Sequence, residues 1–324
     1  MSERHMSWKS VRQRVSGRML DHGLRRLSQL ASLHPRARPE RYGVVVERNV
    51  PFAGGLHLDV YRPKSARGDR AAMLYLHGGG FRILSKDTHW GMALSFAAEG
   101  HVVFVPNYRL APTHPFPAAV EDAASALHWV MAHAARYGAD PQQLVLAGDS
   151  AGANLTMALT VAACWPRPES FAQQLFAARP PIRAVLPACG MFHVSDPLHR
   201  GTPDGWLLDR IRAVSDGYLP SSLAADLSLD LANIAPFLEQ AGPPAHPLPP
   251  MYAFSGDRDP VAIDTERVIT AWRKLGGVAD GRIYPRGIHT FHVFLWTPLA
   301  REAWEDQHRF LRNVLSDVRR AQGR

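Results

Sequence analysis

Leu144-Val145-Leu146-Ala147-Gly148-Asp149-Ser150-Ala151-Gly152-Ala153-Asn154 is the stretch on which the reading of this chain turns. Residues 144–147 form a short apolar run of strand length, and residues 151–163 are rich in alanine and other helix formers. Between them lies Gly-x-Ser-x-Gly. A serine placed between a strand and a helix sits on a sharp turn, and the residues flanking it must be small for the helix to pack against the strand. The turn lifts the hydroxyl out of the sheet. The first N–H groups of the helix then point to where a reacting carbonyl would lie. Glycine and serine are common, so the pentapeptide alone is weak. The strand before it and the helix after it give it weight.

Outward from this turn, strands and helices alternate. Residues 44–46 and 56–61 read as strands joined at Gly54-Gly55, as in a hairpin. Residues 73–76, 102–105, 182–186, 251–255 and 282–284 read as further strands. Residues 118–135, 265–275 and 304–318 read as helices. The pattern predicts an α/β fold, a mostly parallel central sheet flanked by helices on both faces. Residues 195–248, rich in Pro, Asp and Ser, break the alternation. They read as an insertion over the carboxyl edge of the sheet, where open α/β sheets place their ligands.

Directly after the strand at 73–76 comes His77-Gly78-Gly79-Gly80. Three consecutive glycines let backbone N–H groups approach a ligand without side-chain obstruction. Acyl transfer needs such donors, aimed at the oxygen that becomes negative in a tetrahedral intermediate. The spacing and lysine of a phosphate-binding P-loop are absent. A serine hydroxyl also needs a base, and the base an orienting acid. With the order serine, acid, histidine, Asp259 in Ser255-Gly256-Asp257-Arg258-Asp259-Pro260 is the leading acid, with Asp257 and Asp264 as rivals. His289 is the leading base, with His292 as its competitor.

Composition narrows the function classes. The chain has 324 residues, 46% apolar and 20% charged, as expected of a globular protein with a sizeable core. Two cysteines, Cys164 and Cys189, exclude a disulfide framework and a CxxC metal site, and two free thiols fit a reducing, cytoplasmic compartment. No apolar stretch reaches bilayer-spanning length, and the N-terminus lacks the apolar segment of a secretory signal. The net charge is +8, and residues 1–41 hold ten Lys/Arg against three acids, so nearly all of the excess lies in that arm. A nucleic-acid enzyme would carry its charge around its groove; no nucleic-acid partner is expected.

Within the arm, Trp8, Val11, Val15, Met19, Leu24, Leu27 and Ala31 recur near a helical period, predicting an amphipathic helix over 7–32 that ends before His34-Pro35. The expectation is a helix lying on the body, with the stripe of Trp8, Val11, Val15 and Met19 closing over the pocket. The alternative is weak contact of residues 1–41 with a membrane surface.

Several motifs in order identify a resemblance. His77–Phe81 matches HGGGF/W, residues 107–112 match (D/N)YRLAP, and Phe116-Pro117-Ala118-Ala119 matches FPAA. Gly148–Gly152 with Asn154 matches GDSAGxN; Leu248-Pro249-Pro250 resembles an LPP element, Asp259-Pro260-Val261 a DPL element, and His289-Thr290-Phe291 with Phe294 an HGFxxF element. Over about residues 70–300 the chain thus resembles the hormone-sensitive-lipase-like family of α/β-hydrolases, bacterial esterases with an HGGG motif. Thr290 and Val261 depart from the family's glycine and leucine without removing a reactive group.

The resemblance implies an α/β-hydrolase fold with a helical cap, built from residues 1–42 and 195–248 around a catalytic domain of residues 43–324. It implies Ser150 as nucleophile, Asp259 as acid and His289 as base, with the N–H groups of Gly78, Gly79 and Ala151 forming the oxyanion hole. The expected activity is hydrolysis of small or short-chain carboxylic esters through a serine acyl-enzyme, with no cofactor and no metal. Acyl transfer, or amide hydrolysis including deacetylation, on the same residues is the alternative. Small-molecule receptors on this fold lack the histidine that this chain has. The partner is a small ester, and a homo-oligomer is compatible with the sequence.

Overall fold

The computed structural model describes residues 8–197, 206–220 and 228–321. In chain order its elements are α1 (Trp8–Ser32), β1 (Val44–Ala53), β2 (Leu56–Pro63), β3 (Arg70–Leu76), α2 (Trp90–Ala98), β4 (Val102–Pro106), α3 (Ala118–His133), β5 (Ala139–Asp149), α4 (Ala151–Cys164), α5 (Ser170–Ala178), β6 (Ile182–Ala188), α6 (Trp206–Tyr218), α7 (Ile234–Gln240), β7 (Met251–Gly256), α8 (Ala262–Lys274), β8 (Ala279–Tyr284) and α9 (Pro298–Ala321). The strands form one eight-stranded sheet in the order β1-β2-β4-β3-β5-β6-β7-β8. β2 runs antiparallel to both β1 and β4, and every other pairing is parallel. The hairpin turns at Gly54-Gly55, both with positive φ.

Side-chain alternation along the strands builds a core on each face. On β3, Ala72, Leu74 and Leu76 join the apolar cluster under α3, α4 and α8, while Met73 and Tyr75 join the cluster under α2 and α9. Both faces are covered, so the middle stretches of the central strands are apolar. α4 is buried along its whole length, which is why its sequence shows no polar face. No helix among the described residues is long and apolar enough to cross a membrane.

The β5–α4 junction explains the glycine spacing. A Cβ at Gly152 would lie 1.9 Å from the Leu76 carbonyl oxygen, and one at Gly148 2.6 Å from the Gly152 backbone and 2.7 Å from the same oxygen. α4 can approach β3 this closely only without side chains there. Gly152→Ala is therefore expected to force α4 off the sheet and destabilise the fold by about 3 kcal/mol or more, the upper range for overpacking a tight core. A thermal melt of the purified variant checks this.

α1 forms over nearly the expected residues, yet it docks by its polar side. Asp21, Arg25 and Ser28 face residues 84–90, while Met19 is 69% and Leu27 64% exposed. The expected closure of the apolar stripe over the pocket fails at Met19. The side chains of Trp8, Val11 and Val15 lie outside those described. Residues 195–248 bring α6 and α7 onto the carboxyl side of the sheet: Asn154 of α4 donates to Met191 O and Ala232 O, 2.8 Å each. Of this segment, residues 198–205 and 221–227 lie outside the described part.

Candidate active site

Four loops meet at the carboxyl ends of β3, β5, β7 and β8, and each carries one expected group. Ser150 begins α4 with φ 53° and ψ −115°, a conformation that L-residues seldom adopt and that functional turns retain. Its N–H donates to Ala188 O at 2.8 Å, tying the turn to β6. The hydroxyl lies 2.9 Å from His289 Nε2, and His289 Nδ1 lies 2.8 Å from Asp259 Oδ2. Asp259 is buried and accepts two more hydrogen bonds, from Ser255 Oγ at 2.9 Å and Val261 N–H at 3.0 Å.

The electrostatics couple the base to an ionised acid. Burial pushes the Asp259 carboxyl upward, but the charge and hydrogen bond of His289, with Val261 N–H and Ser255, outweigh it and hold the carboxyl low. Burial lowers His289, and the Asp259 carboxylate outweighs that with its charge and hydrogen bond, so the imidazole lies above its ordinary value. The coupled pair shares these shifts.

The rival residues sit elsewhere. Asp257 is exposed in the turn after β7. Asp264 is buried in α8, accepting the N–H groups of Phe192 and His193 at 2.9 and 3.0 Å and pairing with Arg267. His292 is buried against Phe254 and Trp304, and desolvation lowers it to about 4, so it is a neutral core side chain.

The glycine loop corrects one expectation. Gly78 N–H points inward and donates to Asp149 Oδ1 at 3.2 Å. A donor engaged with a buried carboxylate does not face a substrate oxygen, so Gly78 leaves the expected set of donors. Asp149 also accepts from Tyr75 Oη at 2.8 Å; burial raises its carboxyl, but His89 outweighs this and keeps it ionised. A Cβ at Gly78 would lie 2.4 Å from Asp149 Oδ2, which explains glycine there. His77 is held by stacking on Tyr108 at 4.2 Å and is lowered by burial to about 3. Tyr108 Oη donates to His77 O at 2.7 Å, and Arg109 pairs with Asp122 and Glu121. These are architectural roles.

The sequence reading missed His89. Its signal was Ser85-x-x-Thr88 just before it: Ser85 Oγ accepts Asp87 N–H and Ser85 N–H donates to Thr88 Oγ1, fixing the short turn that aims the ring. Missed too was α6, which flanks the glycine loop. A Cβ on Gly80 would lie 2.5 Å from Val214, the Phe81 ring stacks on Tyr218 at 3.7 Å, and Arg82 donates to Ala213 O. Among the described residues, no group of three or more His, Cys, Asp or Glu is placed to hold a metal ion.

Comparison with known proteins agrees with this architecture. The alpha/beta hydrolase fold family matches residues 73–293. The chain is 30% identical over 286 residues to carboxylesterase NlhH of Mycobacterium tuberculosis, covering 86% of this chain and 84% of that one. It is 38% identical over 103 residues to hormone-sensitive lipase of Bos taurus, covering 32% of this chain and 14% of the lipase. Among solved structures, esterase LipW from Mycobacterium marinum superposes with a TM-score of 0.74 at 24% identity, over 92% of this chain and 90% of that one.

Proposed function

The chain belongs to the α/β-hydrolase-fold family, with hormone-sensitive lipase and mycobacterial carboxylesterases among its relatives, and from that premise we propose that it hydrolyses small carboxylic esters through an acyl-enzyme on Ser150. The observation that carries this reading is the hydrogen-bond chain Ser150–His289–Asp259, at 2.9 and 2.8 Å.

His289 Nε2 takes the Ser150 proton as Oγ attacks the ester carbonyl carbon. Asp259 holds the Nδ1–H tautomer and stabilises the imidazolium that forms. The carbonyl oxygen becomes an oxyanion facing the loop after β3 and the start of α4. With Gly78 engaged inward, the donors are the N–H groups of Gly79, Gly80 and Ala151. The intermediate collapses, the imidazolium gives its proton to the leaving alkoxide, and the acyl group stays on Oγ. Water repeats the sequence with His289 as base, releasing the acid and restoring Ser150. The cap over this site is built from α6, packed on the glycine loop, while α1 braces residues 84–90 behind it.

A panel of p-nitrophenyl esters of graded chain length tests this reading. Turnover of the shorter members is expected, and no turnover of any would contradict it. The pH profile has a defined sign. A base must be neutral to accept a proton, and Asp259 raises His289. Activity is therefore expected to rise with pH through a midpoint above about 6.5, the unperturbed imidazole value. A midpoint below that value would remove Asp259 from its role.

A further inference from the structure

The backbone of one residue behind the glycine loop is held by α1 at both of its flanking peptide groups. Asp21 Oδ1 accepts the Leu84 N–H at 2.9 Å, and Arg25 Nη2 donates to the Leu84 carbonyl at 3.1 Å. The two side chains are themselves joined, Arg25 Nε to Asp21 at 2.9 Å, so they act as one clamp. Ser28, one turn on, lies 3.4 Å from Thr88 O and accepts from Trp90 Nε1 at 3.1 Å.

Beyond the clamped residue lies the oxyanion loop. Gly79 O accepts the N–H groups of Arg82 and Ile83, both at 3.1 Å, closing a tight turn. A Cβ on Gly79 would lie 2.1 Å from Ile83 O and 3.2 Å from Leu84 Cβ. Gly79, at φ 118°, therefore rests directly on residues 83–84, and a shift of Leu84 moves its amide. The Asp21 and Arg25 side chains are 24% and 38% exposed, and a half-exposed ion pair adds little to global stability. Its consequence is local. Among the described side chains of α1, Met19 and Leu27 are exposed and the contacts with the body are these polar ones.

We propose that Asp21 and Arg25 are positioning residues, which fix the Gly79 and Gly80 amides for the oxyanion by clamping the Leu84 backbone through the peptide groups on either side of its Cα. The N-terminal helix thereby acts on the reaction through the loop it braces. This rests on the esterase reading above.

The test compares the wild type with Asp21→Ala, Arg25→Ala and Asp21→Asn on p-nitrophenyl acetate, with phenylboronic acid as a probe that becomes tetrahedral on the serine. Losing an oxyanion donor outright costs about 10²–10³ in rate; displacing one through its support is expected to lower kcat about tenfold in both alanine variants, with KM changed less than about twofold. Boronate affinity should fall by the same factor as kcat, since both report the tetrahedral state. Asp21→Asn keeps an acceptor for Leu84 N–H and should recover most of the loss. Melting temperatures should stay within about 4 °C of wild type. An Asp21→Ala variant with unchanged kcat, a loss confined to KM with boronate binding intact, or an equal loss in Asp21→Asn would overturn the clamp. A wild type that neither cleaves esters nor takes a fluorophosphonate would instead overturn the functional reading on which it rests.

Discussion

Ser150→Ala is expected to lose about 10⁶ in kcat, because the hydroxyl is the atom that forms the acyl-enzyme and the groups around it act as a unit. What survives should be the contribution of binding and the oxyanion donors, about 10³–10⁴ over water. The fold should hold. Ser150 forms no side-chain hydrogen bond that caps α4, and alanine fits between Asp149 and Ala151 at no greater volume. Circular dichroism and a thermal melt should match wild type while ester hydrolysis collapses. A variant that keeps more than about 1% of wild-type kcat would require a different nucleophile.

His289→Ala and His292→Ala should separate cleanly. The two residues are three apart, yet one lies 2.9 Å from Ser150 Oγ and the other is packed among Phe254, Phe291 and Trp304. Removing His289 takes away the base and should lower kcat by about 10⁵–10⁶ at nearly unchanged stability. Removing His292 leaves a cavity in an aromatic cluster. It should lower the melting temperature, with a cost of about 2–4 kcal/mol as for other large-to-small core changes, and keep kcat within about tenfold. Comparable losses of kcat in both, or a larger loss in His292→Ala, would reverse the assignment.

The sequence was most legible where a position tolerates only one kind of residue. Gly148 and Gly152 are glycines because Leu76 O leaves no room, and that steric demand is what makes the motif readable. The buried strands read well because both faces are covered. Helices α2, α5 and α7 left no clear mark. In α2, Trp90–Ala98, apolar residues lie on all sides, so no helical period stands out from a buried run. The α1 period was read correctly, but a period reveals that a helix has two faces and not which one meets the body. There the decision lay with Asp21, Arg25 and Ser28, most of whose partners are backbone groups of residues 84–88 and carry no residue signature. Gly78 illustrates the same limit. A glycine triplet announces accessible amides, but the direction of each N–H follows from torsions, and here buried Asp149 draws the first one inward. The choice of Asp259 and His289 over their neighbours came from the family resemblance, and the geometry has the same two residues beside Ser150.

The central claim is that an acyl group passes through Ser150 Oγ, and trapping that intermediate tests it most directly. The enzyme is mixed with excess p-nitrophenyl acetate, quenched in acid within the first turnovers, digested and mapped by mass spectrometry. The account predicts a single acetyl group on the peptide containing Ser150, absent from Ser150→Ala and accumulating in a variant whose deacylation is slowed. Steady hydrolysis with no acylated peptide, or acetylation at a different residue that is lost in step with activity, would contradict it.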